Sequence, residues 1–449
     1  MEAVRVLLIS TYEMGRQPFG LASPAAWLRA AGHEVTLADL SRAPLPLDAV
    51  ESADLIGFFL PMHTATRLLV PVVEKVRAHN PQAHLCAFGL YAPLNESFLH
   101  GAGVATVLGG EFEQPLTELA RRLSHPHWPF DVSVVSLARQ KFLPPDRSGL
   151  PSLDRYARVA LNSSELRVSG YTEASRGCKH LCRHCPVVPV YGGRFRVVQR
   201  ETVLEDIRRQ VAAGAEHITF GDPDFFNGPG HAVALVEALH AEWPKLTYDA
   251  TIKIEHLLRH RSLLPTLKNT NCLFITSAVE SFDDAVLEKL AKGHTCADFR
   301  EALAITRAAG LPLSPTFIPF TPWTTWESYR AFLQELAALG LEEQIAPVQL
   351  SIRLLIPRHS LLLDLPEIGQ IVQPFDQQAL SYPWSNPDPA IDELQKSVHR
   401  LVHHRERLGA SRKEVFQGVW ELAGCGPANW QSPRIARAAI PYLTEPWYC

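Results

Sequence analysis

The 449 residues are 46% hydrophobic and 20% charged and carry a net charge of −4, so the chain can bury a sizeable core but lacks the electrostatic footprint of a nucleic-acid or acidic-membrane binder. No apolar run reaches the ~18 residues that a bilayer-spanning helix needs. The start, Val4-Arg-Val-Leu-Leu-Ile-Ser10, is short and internally charged, and reads as a strand rather than a signal peptide. Eight cysteines in a chain of this length are too sparse for a secreted disulfide scaffold. A reducing, cytoplasmic setting is therefore expected.

In chain order, residues 1–124 alternate short apolar runs with helical spacing. Strands are expected at Val4–Ser10, Val35–Ala38, Leu55–Leu60 and around Leu85–Phe88, with helices at Ser23–Ala31 and Leu69–His79. This alternation predicts a Rossmann-like, doubly wound parallel sheet, with ligands at the carboxyl ends of its strands. Residues 125–165 are irregular and read as a connector. A second alternation fills 166–375, with strands expected at Gly170–Ala174, His217–Phe220, Leu246–Ile254, Leu273–Val279, Leu313–Ile318 and Val348–Ile356. Six βα units predict a partial (β/α)6 barrel, so the fold class is α/β. Residues 376–449 form a small helical C-terminal region, with helices near Ala390–Leu408 and Arg412–Ala423.

Two of the barrel strands break the apolar run expected of strands buried on both faces. With a period of two, Leu246, Tyr248, Ala250, Ile252 and Ile254 share one face, and Thr247, Asp249, Thr251, Lys253 and Glu255 the other. Gln349, Ser351 and Arg353 line one face of Val348–Ile356 in the same way. Unpaired buried charges cost several kcal/mol each, so these faces require water, partners or a polar ligand.

The strongest chemical signal is Ser175-Arg-Gly-Cys-Lys-His-Leu-Cys-Arg-His-Cys-Pro186, in which Cys178, Cys182 and Cys185 are spaced C-x3-C-x2-C. Iron–sulfur cubanes usually take four thiolates, so three close ones leave one iron open. Arg176, Lys179 and Arg183 interleave the ligands and are expected to offset cluster charge. Gly177 permits a tight turn before the first of them. A zinc site completed by His180 or His184, and unligated core cysteines, stay open on spacing alone.

This loop resembles that of the radical S-adenosylmethionine (SAM) superfamily, and the resemblance covers about residues 166–375. It implies an enzyme that holds a 4Fe–4S cluster on Cys178, Cys182 and Cys185. SAM binds the open iron and is reductively cleaved to a 5′-deoxyadenosyl radical. The family's aromatic residue before the third cysteine is His184 here. Further matches follow in order: Phe220-Gly-Asp-Pro-Asp224, Ala278-Val-Glu-Ser281 and Lys292-Gly-His-Thr295. They nominate Gly221, Asp222, Asp224, Lys253, Glu280, Ser281 and Arg353 as SAM contacts. The alternative is an iron–sulfur or zinc protein that binds or transfers electrons without SAM chemistry.

Residues 1–124 resemble the cobalamin-binding domain fused to many radical SAM enzymes. The matching residues are Gly20-Leu-Ala22, Trp27-Leu-Arg-Ala-Ala-Gly-His33, Asp54-Leu-Ile-Gly57 and Gly109-Gly-Glu111. Gly20, His63, Gly109 and Gly110 are the expected cobalamin contacts, although the Asp-x-His-x-x-Gly cobalt-ligand motif is absent. With cobalamin, radical methylation is expected. The tail, Ile440 to Cys449, resembles that of a radical SAM subgroup named for a Cys-Sec/Cys-Ala-Glu-Pro terminus. This implies that the chain stops at a selenocysteine codon and makes Cys425 and Cys449 redox candidates. Expected partners are a small-molecule or peptide substrate and a low-potential electron donor such as flavodoxin or ferredoxin, with no nucleic acid and no membrane.

Overall fold

The computed structural model describes residues 3–125, 133–161, 165–427 and 442–443. Apolar runs of five or six residues build its first sheet: β1 (Arg5–Ser10), β2 (Glu34–Asp39), β3 (Leu55–Phe59), β4 (His84–Phe88) and β5 (Thr106–Gly110). The crossovers are α1 (Phe19–Ala30), α2 (Leu47–Ser52), α3 (His63–His79) and α4 (Glu96–Gly101), and α5 (Glu113–Ser124) leads out of β5. All pairs are parallel, in the order β2-β1-β3-β4-β5, extended by a two-residue β6 (Val135–Ser136) beside β5. Alternation along the strands serves both faces. Leu7, Ile9, Ile56 and Phe58 belong to one buried layer, and Val6, Leu8, Leu55 and Phe59 to the other.

The second sheet begins with β7 (Arg158–Ala160) and β8 (Leu166–Thr172). A small antiparallel pair follows, β9 (Ser175–Gly177) and β10 (Phe195–Val197), which brackets α6 (Val187–Tyr191). Then come α7 (Arg200–Ala212), β11 (His217–Phe220), α8 (Pro229–Glu242), β12 (Thr247–Thr251), α9 (Ile254–Arg259) and α10 (Leu264–Asn269). β13 (Cys272–Glu280), α11 (Asp284–Lys289), α12 (Cys296–Ala308), β14 (Leu313–Phe317) and α13 (Trp326–Ala338) complete the alternation. β8, β11, β12, β13 and β14 are parallel neighbours and curl as a half-barrel, with β7 antiparallel at one edge. Beyond α14 (Pro366–Ile371) lie α15 (Pro389–Arg407) and α16 (Arg412–Leu422), and β15 (Tyr442–Leu443) pairs with β7.

The sixth barrel strand expected at Val348–Ile356 does not form. Pro347 opens a 3₁₀ turn through Leu350, and Gln349 Oε1 accepts the Phe317 amide at 3.1 Å, where a strand carbonyl would otherwise sit. A single bridge, Phe320 with Arg353, is what remains of the pairing. Helix α15 packs there instead: Gln395 Nε2 donates to Ser351 O at 2.9 Å, and Ile391, Leu394 and Val398 enter the barrel core. The connector likewise contributes to both sheets, through β6 and β7. Among the described residues no helix is long and apolar enough to cross a membrane.

Candidate active site

The cysteine loop leaves β9 through Gly177 at φ 74°. A Cβ there would lie 2.4 Å from the Tyr191 ring and 2.5 Å from Arg194 O, so only glycine fits. Two side chains from the turn after β11 hold the loop. Asp222 accepts the Ala174 amide at 3.0 Å and the Ser175 hydroxyl at 2.5 Å. Asn227, fully buried, accepts the Lys179 amide at 3.1 Å and donates to Gly177 O at 3.3 Å. Asn227 carries no spacing signal that would single it out in the sequence.

Cys178, Cys182 and Cys185 gather where this loop meets the first sheet. Cys178 and Cys185 pack against the apolar layer that contains Leu60, Tyr91, Val187 and Tyr191. Burial pushes the Cys178 thiol up and that of Cys185 up to about 12. Burial in this layer favours the protonated thiols, so a metal bound here must displace their protons. Lys253 Nζ lies 3.7 Å from Cys182 Sγ, with both side chains buried. The other described cysteines lie elsewhere: Cys86 in the first sheet, Cys272 and Cys296 at element starts, and Cys425 against the barrel core.

Across the mouth, β13 ends on Glu280 in the left-handed region at φ 72°, an uncommon conformation for a side chain of this size. Its carboxylate meets His184, from the cysteine loop, and Lys292. Glu280 Oε1 lies 3.1 Å from His184 Nε2 and 3.2 Å from Lys292 Nζ. Burial acts to raise the Glu280 carboxyl, but Lys292 and His184 outweigh it and hold it at about 2. Burial lowers the Lys292 amine, yet Glu280 and the nearby Cys182 and Cys185 raise it overall. Burial, with Lys292 and Lys253, takes His294 down to about 4. His184 Nδ1 and His294 Nδ1 are buried without a hydrogen-bond partner. These are open polar atoms of the kind a zwitterionic ligand would satisfy.

Below the mouth the polar strand face is closed on itself. His217 Nε2 lies 2.8 Å from Asp249 Oδ1, Thr219 donates to the same oxygen at 2.7 Å, and His217 Nδ1 lies 2.9 Å from Thr247 Oγ1. Tyr248, Ala250 and Ile252 point into the apolar core as the alternation requires.

Residues 172–336 match the radical SAM superfamily. This chain carries a radical SAM domain. The superfamily uses a 4Fe–4S cluster and SAM, and the three thiols, the two lysines and the unsatisfied polar atoms around them fit both. The hopanoid C-3 methylase of Methylococcus capsulatus is 28% identical over 320 residues, 67% of this chain and 61% of that protein. The chain thus spans less than two thirds of this relative. A tRNA-2-methylthio-N(6)-dimethylallyladenosine synthase of Pelodictyon phaeoclathratiforme is 26% identical over 180 residues, 38% of this chain and 41% of that one. In fold, the chain is similar to the cobalamin-dependent SAM radical enzyme OxsB (TM-score 0.70, 14% identity, 90% of this chain and 67% of that one). It is also similar to the radical SAM methyltransferase TsrM of Kitasatospora setae (TM-score 0.64, 16% identity, 82% and 78%).

The radical SAM domain gives several nominated residues other work. Of the interleaved cations, Arg176 turns to Glu113, Glu111 and Glu173, and Arg183 to the Glu288 and Lys289 carbonyls that end α11. Lys179 lies over the Phe195 ring. Lys253 and Lys292, distant in sequence, are the cations at the thiols. Arg353 already holds a carboxylate, Asp392, at 2.7 Å and stacks 3.5 Å over Trp384. Ser281 accepts the Asp283 amide at 3.0 Å. Gly221 makes room for the Tyr171 hydroxyl, 1.8 Å from where its Cβ would be. Asp224 faces His180 and His256.

The four residues nominated for cobalamin are committed to the chain's own packing. A Cβ on Gly20 would meet the Phe59 ring at 2.1 Å, one on Gly109 would meet Pro93 at 2.3 Å, and one on Gly110 would meet Ser136 O at 2.2 Å. His63 Nε2 bonds Ala379 O at 2.6 Å. Cys449 and most of the tail lie outside the described residues.

Proposed function

We propose that this protein is an enzyme that binds SAM at a 4Fe–4S cluster held by Cys178, Cys182 and Cys185. The observation that carries the reading is the convergence of three buried or half-buried thiols with Lys253 and the Glu280–Lys292 pair at the mouth of a polar half-barrel. When bound, the cluster and SAM supply one-electron reductive cleavage of the sulfonium and a carbon radical for hydrogen abstraction. The chain's own residues prepare that site. Lys253 places positive charge on Cys182 and so favours the reduced, more negative cluster. Lys292 neutralises Glu280, which keeps a carboxylate ionised in a buried position. His184 and His294 present unsatisfied ring nitrogens to a polar ligand.

A low-potential electron donor is the proposed partner. Residues 174–200 contain six Lys or Arg and no Asp or Glu, in a chain of net charge −4. Lys179, Arg194 and Arg200 are exposed along this segment, as is Leu181, 53% exposed on the cysteine loop. An acidic, flavodoxin- or ferredoxin-type protein is complementary to that rim. The substrate proposed is a small molecule or peptide.

Anaerobic reconstitution with iron and sulfide, followed by dithionite and SAM, tests the reading. The wild type should release 5′-deoxyadenosine, and Cys182→Ala should lose both the cluster absorbance and that product. A fully iron-loaded wild type that yields none overturns it.

A second reading, radical methylation, is supported by the methylase relative and by the fold likeness to OxsB and TsrM. Protein produced with cobalamin supplied should then retain a corrin visible spectrum through gel filtration. Loss of the corrin on the column removes this reading.

A further inference from the structure

One cluster of ligand-type side chains beside the cysteine loop has no part in the chemistry above. His180 comes from the loop itself, Asp224 from the turn after β11, and His256 from the first turn of α9. One atom of each, His180 Nε2, Asp224 Oδ2 and His256 Nδ1, points at the other two, and all three lie within 4.8 Å of one another. Asp224 and His256 are buried, and His180 is 16% exposed. His256 Nδ1 is 2.6 Å and His180 Nε2 3.7 Å from Asp224 Oδ2, yet none of the three atoms makes a hydrogen bond. The other Asp224 oxygen is already engaged, accepting the Phe226 amide at 3.2 Å and the Lys253 amide at 3.4 Å. A single carboxylate oxygen faces both rings, and neither ring nitrogen meets it with hydrogen-bond geometry. A cation bound at ~2.0–2.2 Å satisfies all three at once, and ligand atoms about 3 Å apart are what such bonds produce.

The surroundings of His180 match a metal ligand. Its other ring nitrogen, Nδ1, faces Glu255 Oε2 at 3.5 Å, and Glu255 is held by Arg259 at 2.6 Å. Carboxylates commonly orient the second nitrogen of a metal-bound histidine in this way. We propose that His180, Asp224 and His256 bind one divalent cation of the zinc type, separate from the iron of the cysteine loop. Two imidazoles and a carboxylate form a ligand set that zinc takes. Three protein ligands leave a further coordination position for water. Because the ligands come from three elements, the ion pins the residue between Cys178 and Cys182 to the ends of β11 and β12. Its role is to position the cysteine loop.

The experiment uses the full-length protein with its cluster reconstituted, exposed to one equivalent of zinc sulfate, desalted, and analysed for iron and zinc. The expected result is about one zinc per chain in addition to full iron, with only nitrogen and oxygen neighbours at the zinc X-ray absorption edge. His256→Gln and Asp224→Asn should each cut retained zinc by at least about tenfold, the scale at which even orienting partners act. Three results overturn the proposal: less than about half an equivalent of zinc on iron-replete wild type, sulfur in the zinc shell, or undiminished zinc in both variants. If neither variant folds, wild-type stoichiometry and the edge spectrum decide. Release of 5′-deoxyadenosine by the same sample reports separately on the radical SAM reading.

Discussion

Nζ of Lys253 lies 3.7 Å from Sγ of Cys182, and both side chains are buried. A cation this close to a cluster ligand acts on the charge of the cluster in a low-dielectric setting, where solvent screens it little. Lys253→Met should therefore leave iron content unchanged while moving the reduction potential to more negative values. With a cost of only ~1.4 kcal/mol to the reductive step, 5′-deoxyadenosine formation falls about tenfold. Spectroelectrochemistry and product assay check this, and an unchanged potential would refute the role.

Arg176 ties the cysteine loop to the first domain. It lies 2.6 Å from Glu113, 3.4 Å from Glu111 and 2.7 Å from Glu173, and is 6% exposed. Removing one partner of a buried network leaves charge uncompensated, at a cost of about 3–5 kcal/mol. Arg176→Ala should lower the urea midpoint accordingly. Glu113→Gln, which keeps hydrogen bonding and leaves two acids on Arg176, should cost less.

Glu280 and Lys292 make a comparable buried pair at the mouth. Glu280→Gln should destabilise the fold by about 3–5 kcal/mol and reduce SAM-dependent product formation. The Glu280 carboxyl is held at about 2 against an ordinary value of 4.5. Its stabilising contribution is complete above pH ~4.5 and is lost as the pH falls toward ~2. In the Gln variant, unfolding measured between those values should lose that part of the wild-type acid sensitivity.

Asp222 shifts the opposite way. Burial pushes its carboxyl up to about 7 from 3.8, against the Ser175 hydroxyl and the Ala174 amide. The folded chain keeps this proton where the unfolded chain has released it. Stability from this group is therefore complete below pH ~4 and declines as the pH rises to ~7, by ~1.4 kcal/mol per pKa unit at most. The urea midpoint of the wild type should fall between pH 5 and 7.5, and that of Asp222→Asn should fall less. Identical pH profiles would remove the assignment.

Much of the site's chemistry is written in local order. The C-x3-C-x2-C spacing specifies three thiols on one short loop, and the period of two in Thr247, Asp249, Thr251 and Lys253 specifies a polar face on a buried strand. Both signals are properties of neighbouring residues, so a sequence states them directly. The sixth strand misleads for the same reason. Its alternation is real, but Pro347 and the Gln349 side chain cap β14, and α15 covers the site where pairing would have continued. Which cations serve the thiols is likewise a matter of tertiary structure. Arg176 and Arg183 are close in sequence to the cysteines yet bond elsewhere, whereas Lys253 arrives from the end of β12 and Lys292 from the turn between α11 and α12, both far along the chain. The meeting of His180, Asp224 and His256 has the same origin. Spacing along a chain fixes what one loop can present, and the packing of several βα turns at one end of a barrel decides which side chains it faces.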